Sequence, residues 1–398
     1  MPLPLYLLAL AVFAMGTSEF MLAGLLPDIS RDLGVSVGAS GVLTSAFAVG
    51  MVVGAPLTAA LARDRAGRAG LLGFVLTFLA AHVVGAVTTS FPLLLATRVV
   101  AALANAGFLA LALTTAAALV PAERKGRALA VLLSGTTVAT VVGVPGGALL
   151  GSLFGWRAAF WAVAALCVPA ALGVLRGVPG RSVRREGNGG RGVVGVRRTD
   201  ERPALRAEFA RLRNPRLLLV LLAGALVNAA TFGAFTFLAP VVTGPAGLPA
   251  SWVPVALVLF GAGSFAGVTA AGRLSDRRPG LVLAVAGPLL LLGWPAVALL
   301  AERPAALLGL VLVQGTLSFA LGGTLIARAL YAAAGAPTMA GAYATAALNV
   351  GATVGPLLAA ATLGTAAGPL GPFWAGAALV AVALPVAPAA VPARREAG

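Results

Sequence analysis

The chain has 398 residues, of which 60% are hydrophobic and 10% charged, and its formal net charge is +16. A soluble protein carries about a quarter charged residues, so this composition excludes an ordinary soluble domain. The single cysteine excludes a disulfide framework. With one histidine and no Walker A sequence, the chain also lacks a recognisable catalytic or ATP-driven site.

Twelve apolar spans follow one another along the chain, each bounded by charged residues or by Gly, Pro and Ser. A helix that crosses a bilayer needs about 20 apolar residues, so the pattern predicts twelve transmembrane helices. The spans lie at 4–26, 38–62, 69–89, 92–120, 127–151, 156–176, 216–241, 251–271, 279–300, 304–332, 337–364 and 369–391.

The basic residues lie in alternate loops. All but four of the 28 Lys and Arg residues are close to the loops after spans 2, 4, 6, 8 and 10 or in the C-terminal tail, and the exceptions are Arg31, Arg98, Arg157 and Arg303. This is the positive-inside pattern, which predicts that both termini and the long middle loop are cytoplasmic. Because the charge is placed this way, we attribute it to membrane topology and not to nucleic-acid binding.

The middle loop predicts a division into two bundles of six helices. We expect an N-terminal bundle over 1–176, a basic linker over 177–215 and a C-terminal bundle with a short tail over 216–398. The linker is rich in Gly and Arg, so it should be largely disordered and lie against anionic lipid. The halves look related, since VVGVPGGALLG in span 5 matches NVGATVGPLLA in span 11. Repeated halves are typical of transporters whose site lies at the repeat interface.

Two charged residues lie well inside apolar spans, Glu19 in span 1 and Arg98 in span 4. At 1.5 Å per residue Glu19 lies about 22 Å from the inner end of its helix, and Arg98 about 21 Å from the inner face. A charge at this depth is costly and usually functional, so we interpret them as a proton-coupling pair. The alternatives are a structural acid bonded to Ser, Thr or backbone and an Arg that snorkels to the interface.

Several phrases, taken in order, resemble one family. They are GTSEFMLAGLLPDI (16–29), LTSAFAVGMVVGAPL (43–57), TRVVAALANAGFLALAL (97–113), GVPGGALLG (143–151), GWRAAFW (155–161), GSFAGVTAAGRLSD (263–276) and ATAALNVGATVGP (344–356). Together they resemble the major facilitator superfamily, and within it the twelve-helix drug:proton antiporters, most of all the chloramphenicol-efflux proteins of actinomycetes.

The resemblance implies an all-α integral membrane protein of the plasma membrane. It implies proton-coupled export of a hydrophobic antibiotic, most directly chloramphenicol, by a monomer whose partners are drug, protons and lipid, with no cofactor, no metal and no nucleic acid. Export of sugars or nucleosides, which related permeases carry out, is the alternative. An enzyme, a primary pump and a channel are disfavoured.

The resemblance also implies a gate on the cytoplasmic face. The family has the form G-x-L-a-D-r-x-G-r after helix 2, and this chain matches it at Asp64, Arg65 and Arg68, although Ala60 replaces the first Gly. A second copy keeps Asp276 and Arg277 and then departs at Arg278-Pro279. An acid facing a helix N-terminus is stabilised there, which would hold the inner face shut. The alternative is an ordinary positive-inside loop.

The family's antiporter motif in helix 5 is present with its Pro displaced by one, as Gly143, Pro145, Gly146 and Gly147. Such a Pro between glycines kinks a helix and permits close packing. The resemblance connects this bend with exchange, whereas a plain helix-packing face is the alternative.

Polar and aromatic residues at membrane depth are the candidates for substrate binding. Polar side chains in a membrane usually face the protein interior, where they either touch substrate or bridge helices. The predicted set is Asn105, Phe108, Asn228, Phe232, Gln314 and Asn349, with Phe235 and Phe319 as further aromatic candidates. For the phenylalanines, core packing is the commoner role. His82 in span 3 is interpreted as a satisfied helix-packing group.

Overall fold

We describe the fold from a computed structural model, in which residues 2–61, 67–121, 124–178, 213–274, 279–333 and 340–386 are described. Twelve of its helical segments are long and apolar enough to cross a membrane, which confirms the twelve predicted spans. The linker over 179–212 and the tail after 386 lie outside the described residues. We call the side that the charge pattern predicts to lie outside the cytoplasm the outer side.

Fifteen α-helices occur in the described residues. The first half contains α1 (Leu3–Phe20), α2 (Leu26–Leu33), α3 (Val37–Leu61), α4 (Arg68–Val87), α5 (Phe91–Ala118), α6 (Lys125–Val138), α7 (Val144–Phe154) and α8 (Trp156–Gly177). The second half contains α9 (Pro215–Thr236), α10 (Leu238–Thr243), α11 (Trp252–Leu274), α12 (Pro279–Leu299), α13 (Pro304–Ala332), α14 (Ala340–Thr362) and α15 (Gly371–Val386). A π-helical turn, Ala139–Gly143, joins α6 to α7, so these three pieces form the fifth span.

The first and seventh spans both break near their outer ends, which the sequence reading did not predict. Helix α1 passes into a 3₁₀ turn, Met21–Gly24, and α9 stops before the short α10. The cause is a proline in each span, because Pro27 and Pro240 have no N–H to donate to the carbonyl four residues earlier. The two breaks occupy matching places in the two halves, which supports the repeat.

Helices pack first within each half. In the first half α1 packs against α6 and α8, α3 against α5, and α4 against α5 and α8. In the second half α9 packs against α14 and α15, α11 against α13, and α12 against α13 and α15. Small residues allow this close approach, since a Cβ on Gly50 would lie 2.6 Å from the Cβ of Ala102.

The two halves meet through α3 with α14 and through α11 with α7 and the π-turn. At the outer ends an ideal Cβ on Gly38 would lie 3.7 Å from the Cβ of Ala360, and Gly41 lies under the ring of Phe237. Phe237 and Ala359 belong to the hydrophobic core of the first half although both residues lie in the second half of the chain. The outer ends of the two halves are therefore packed together.

A polar cluster ties three outer segments of the first half to one another. The indole N–H of Trp156 donates to Asp32 at 3.1 Å, and Arg157 donates both to Asp32 and to the carbonyl of Thr88, the latter at 3.0 Å. The Arg157 guanidinium also lies 4.3 Å from the centroid of the Trp156 ring. The hydrogen bonds from Arg157 and then Trp156 hold the pKa of Asp32 below its ordinary value.

Candidate functional site

A narrow cavity lies between the halves. Its wall is mostly aromatic and apolar, with hydroxyls at three positions. It is lined by Phe20, Thr140, Val144, Thr231, Phe232, Phe235, Leu257, Phe260, Gly261, Ser264 and Phe319. Because residues of α1, the π-turn and α7 face residues of α9, α11 and α13, the cavity spans the repeat interface.

The aromatic rings of this wall contact one another across and along the interface. Phe20 of α1 and Phe232 of α9 have ring centroids 5.6 Å apart, so they join the halves at this level. Phe235 and Phe260 lie 4.7 Å apart, and Phe260 meets Phe319 edge-on at 6.2 Å. Such a wall suits a flat apolar or aromatic molecule, which stacks on the rings.

Two of the cavity hydroxyls donate their hydrogens to backbone carbonyls. Thr231 donates to the carbonyl of Val227 and Ser264 donates to that of Phe260, each at 2.8 Å and each within its own helix. The lone pairs of both oxygens therefore remain available to a ligand that donates a hydrogen bond.

Glu19 lies beside this cavity, half-buried on α1. It lines a smaller pocket together with Phe20, Thr44, Phe232 and Thr236. Within the described part of the chain Glu19 makes no hydrogen bond and no ion pair. The hydroxyls of Thr44 and Thr236 are buried without a partner. Two donors, one from each half, thus lie in the same pocket as one carboxylate.

The repeat explains why Phe232 faces Glu19. Glu19 stands eight residues before Pro27, and Phe232 stands eight residues before Pro240, so the two occupy equivalent positions of the first and seventh spans. Both line the same pocket at the interface. The acid is therefore present in one half only, and the other half supplies an aromatic face in its place.

Arg98 is fully buried, with 1% of its surface exposed, which excludes the snorkelling alternative. Its guanidinium donates to the hydroxyl of Ser18 at 2.8 Å and to the carbonyl of Ser18 at 2.7 Å. It also lies 4.5 Å from the centroid of the Phe47 ring. The predicted match in depth is confirmed, since Arg98 reaches the residue next to Glu19.

The sequence left open whether Glu19 and Arg98 pair directly. No salt bridge joins them among the described residues; the guanidinium donates instead to both oxygens of Ser18, while its Nε has no hydrogen-bond partner. The positive charge of Arg98 nevertheless lies next to the residue that precedes Glu19.

His82 completes a buried chain of hydrogen bonds. Its Nδ1 faces the carbonyl of Phe78 at 2.8 Å, and a carbonyl only accepts, so Nδ1 carries the hydrogen. In the neutral imidazole Nε2 therefore accepts from the Ser18 hydroxyl, at 2.6 Å. The order of donation runs from Arg98 to Ser18 to His82 to Phe78. Both ring nitrogens are satisfied, as expected of a helix-packing group.

Comparison with known proteins gives consistent matches over nearly the whole chain. The model of the Major Facilitator Superfamily matches residues 8–347. The chain belongs to this superfamily. It is 71% identical to a chloramphenicol resistance protein of Streptomyces lividans, over 97% of this chain and 96% of the relative. It is 32% identical to the inner membrane transport protein YdhP of Escherichia coli K12, over 95% of each chain.

Solved structures agree on the fold. A bacterial homolog of the human lysosomal transporter Spinster, in an inward-facing and unoccupied conformation, has a TM-score of 0.74 at 19% identity and covers 98% of this chain and 95% of its own. The predicted all-α membrane architecture and the family resemblance are thereby confirmed. The chain is a multi-pass membrane transporter of small molecules and not an enzyme.

The predicted substrate-binding residues do not all line one cavity. Phe232 lies on the cavity wall, and Gln314 lines a neighbouring cavity. Asn228 of α9 donates to the carbonyl of Leu348 in α14 at 2.7 Å, and Asn349 donates to Thr345 in its own helix at 3.0 Å. Asn228 thus bridges two helices, which was one of its two predicted roles.

The remaining two candidates lie in α5. Asn105 is buried, and Phe108 is fully buried within the hydrophobic core of the first half. Phe108 therefore has a packing role. The sequence reading did not select Phe20, Thr44, Thr236 or Phe260 as site residues, and only their place at the interface marks them.

The glycines of the helix-5 motif lie against α1. A methyl group on Gly143 would overlap the hydroxyl of Thr17, and one on Gly147 would lie 3.2 Å from the Cβ of Met21. Pro145 is the second residue after the π-turn. It has no N–H, so it leaves the carbonyl of Val141 without its usual α-helical donor. On its other side the turn meets Gly261 of α11, whose Cβ would lie 2.8 Å from the Thr140 carbonyl oxygen.

Of the predicted gate residues the structure describes one. Arg68 begins α4, and its guanidinium donates to the carbonyl of Leu175 in the last turn of α8 at 3.2 Å. Asp64, Arg65, Asp276 and Arg277 lie outside the described residues. The gate therefore stays a prediction. Within the described ranges no group of three His, Cys, Asp or Glu side chains lies close enough to hold a metal ion.

Proposed function

We propose that this protein exports chloramphenicol in exchange for protons and thereby confers resistance to the drug. The observation that carries the proposal is a single acid, Glu19, beside an aromatic cavity between two six-helix halves. The Streptomyces relative supports the choice of substrate, since it is named for chloramphenicol resistance and is 71% identical.

The chemistry of the cavity wall fits this drug. Chloramphenicol is neutral and combines a nitrophenyl ring with two hydroxyls and a secondary amide. The ring would stack on the Phe20, Phe232 and Phe235 side of the wall, and a hydroxyl would donate to Thr231 or Ser264. A sugar would need many more hydrogen-bond partners than this mostly apolar wall offers, which disfavours the alternative substrate class.

Glu19 is the proposed proton carrier. A neutral drug requires only that one proton enter per cycle, and an inward proton is driven by about 2.3 kcal/mol per 100 mV of membrane potential. When Glu19 ionises, the hydroxyls of Thr44 and Thr236 are placed to donate to its carboxylate, because they line its pocket and have no other partner. Thr236 belongs to the second half, so loss of the proton would favour closer contact between the halves.

Arg98 supplies the fixed positive charge of this site. Ser18 holds the guanidinium one residue away from Glu19, so the charge stays near the carboxylate without occupying it. Glu19 is therefore free to exchange its proton with the cavity, whereas a direct ion pair would hold it ionised.

One chain provides the complete transport path in this proposal. The bundles over 1–176 and 216–398 would rock about the site, and the basic linker over 177–215 would lie on the inner leaflet. Because both walls of the cavity come from the same chain, a monomer in lipid is sufficient for transport.

The test is uptake of labelled chloramphenicol into everted membrane vesicles with an imposed proton gradient. Wild type should accumulate the drug, a protonophore should abolish the accumulation, and Glu19→Gln should lose it, because the amide cannot release a proton. Glu302→Gln is the matched control, since Glu302 is an exposed acid in the loop between α12 and α13 and should transport normally.

Two results would contradict the proposal. Accumulation that survives in Glu19→Gln would remove this acid from the coupling mechanism. A wild type that is well expressed in sealed vesicles and accumulates no chloramphenicol would exclude the drug as substrate.

A further inference from the structure

A second cavity lies at the repeat interface, on the outer side of the central one. Its walls come from the 3₁₀ turn, α2 and α7 of the first half, and from α10, α11 and the loop between them in the second half. Its solvent-accessible volume is about 230 Å³, whereas that of the central cavity is about 20 Å³. In this structure the outer cavity therefore offers a small molecule much more room than the central cavity does.

The two cavities are stacked along the same segments of the chain. On three segments a residue of the central wall is followed, four residues further toward the outer side, by a residue of the outer wall, and four residues are about one helical turn. The pairs are Phe20 and Gly24, Val144 and Ala148, and Leu257 and Val253. The outer cavity therefore continues the central cavity toward the outside.

A layer of apolar contacts lies between the cavities. Gly24 packs against Ala148 and Leu257, since a Cβ added to it would lie 2.5 Å from the Cβ of Ala148 and 3.0 Å from Cδ1 of Leu257. We call these three residues the dividing layer. Leu257 belongs to the second half and the other two belong to the first, so separation of the halves at this level would connect the cavities.

The outer cavity has charged residues in its wall, which the central cavity lacks. Asp28 and Arg31 of α2 form a salt bridge in which Oδ1 lies 3.2 Å from Nη2, and within the described residues Oδ2 of Asp28 has no hydrogen-bond partner. The hydroxyls of Ser152 and Thr243 donate to carbonyls of their own helices at 2.9 and 3.1 Å, so their oxygens are further acceptors. Because the two charges offset each other, the cavity favours a neutral ligand that donates hydrogen bonds.

We propose that the outer cavity is a second binding station for the exported molecule, which occupies it after the central cavity and before release. The ligand class is a neutral molecule with a hydroxyl on an apolar body. The hydroxyl would donate to Asp28, and the body would lie on Leu248 and Val253. Closure of the dividing layer behind the ligand would block its return. This inference rests on the proposed function, because chloramphenicol, which has two hydroxyls, is the ligand that it assigns to the cavity.

The test is protection of a single cysteine in the outer cavity from a membrane-impermeant maleimide. Ser152→Cys, in a Cys167→Ala background, places a thiol in the cavity wall, and right-side-out vesicles present this side to the reagent. No proton gradient is imposed, so chloramphenicol reaches the same concentration on both sides. The drug should slow the labelling of Ser152→Cys in a saturable manner. Ser90→Cys is the matched control, since Ser90 is an exposed outer residue that does not line the cavity, and its labelling should not change.

Asp28→Ala tests the carboxylate itself. Because the side chain of Arg31 is 77% exposed, loss of its partner should have little effect on folding. The chloramphenicol concentration that halves the labelling rate should rise about tenfold, as expected for a hydrogen bond to a charged group. Asp28→Asn keeps a neutral acceptor and should raise that concentration less. Glu302→Ala, which removes an exposed acid in the loop between α12 and α13, should leave it unchanged.

Two results would overturn the outer station. One is labelling of Ser152→Cys at the same rate with and without drug. The other is protection that is equally sensitive to the drug in Asp28→Ala and Glu302→Ala, which would assign the protection to a change in conformation. Either result leaves the proposed function standing as long as wild type exports chloramphenicol. Protection that depends on Asp28 in a protein that does not export the drug would support the outer site and overturn the proposed function, and the absence of both protection and export would overturn both.

Discussion

At the scale of single residues, Ser18 connects the only described histidine with the buried arginine. Its hydroxyl accepts from Arg98 and donates to His82, and its carbonyl accepts a second bond from Arg98. The side chain is fully buried, so water cannot replace these bonds if the hydroxyl is lost. Ser18 thus holds the guanidinium of Arg98 beside the residue that precedes Glu19.

We expect Ser18→Ala to destabilise the protein by roughly 1–3 kcal/mol, because it leaves a buried donor of Arg98 and Nε2 of His82 without partners. Cys167 provides the measurement, since it is the only cysteine and is 1% exposed in the folded protein. A thiol-reactive dye added during heating reports its exposure, and the variant should unfold at a lower temperature.

Ser134→Ala is the control for this prediction. Ser134 is exposed and donates only to the carbonyl of Val131 in its own helix, so its loss should leave the unfolding temperature unchanged. An unfolding temperature of Ser18→Ala equal to that of Ser134→Ala would contradict the network described above.

At the scale of elements, the fifth span is interrupted by a π-helical turn. Its π-turn lies where α1 contacts it on one side and α11 of the other half on the opposite side. Gly143 and Gly261 make this double contact possible, since neither position has room for a Cβ. A π-turn is often found at functional sites, and here it borders the central cavity through Thr140.

Gly143→Ala should lower the unfolding temperature measured through Cys167, because its methyl group would overlap the Thr17 hydroxyl and overpacking typically costs about 1–3 kcal/mol. Adding Thr17→Ala should restore most of the loss, since that hydroxyl donates only to the carbonyl of Phe13 in its own helix.

Gly146→Ala in the same motif is the matched control. An ideal Cβ at Gly146 has no neighbour within 4 Å, so the change should be neutral or slightly stabilising in the helix. Equal effects at the two glycines would show that the motif acts through backbone flexibility and not through the contact with α1.

At the scale of the whole molecule, the outer ends of the halves are packed together around the interface. Gly38 contacts Ala360, and Phe237 lies in the core of the opposite half. If transport requires these ends to separate, a covalent link between them should stop it.

A disulfide between Gly38→Cys and Ala360→Cys would test this. The Cβ separation of 3.7 Å lies within the range of about 3.5–4.5 Å that disulfides adopt. In a Cys167→Ala background, oxidation should reduce chloramphenicol uptake into proteoliposomes to less than about a tenth, and a reductant should restore it, as expected of a rocking mechanism.

Gly38→Cys alone should transport normally with or without oxidant. Full transport by the oxidised double variant, with the disulfide confirmed by mass spectrometry, would show that the outer ends need not part.

The sequence by itself determined the architecture of this protein. Twelve spans, their alternating loop charges and the matching phrases of the halves follow from the demands of the bilayer, which require about 20 apolar residues per crossing and place cations on one side. Glu19 and Arg98 were selected as candidates for the same reason, since charges at that depth are rare.

Only the tertiary structure decided what these residues contact. Charge left open whether Glu19 and Arg98 pair directly, and in the folded chain Arg98 donates to both oxygens of Ser18. Polar or aromatic character at membrane depth selected six candidates and left open whether each binds substrate or packs; in the folded chain Asn228 bridges helices, Phe108 fills the core and Gln314 lines a neighbouring cavity. Depth in the membrane can be counted along a sequence, whereas the direction of a side chain around its helix depends on which neighbours pack against it.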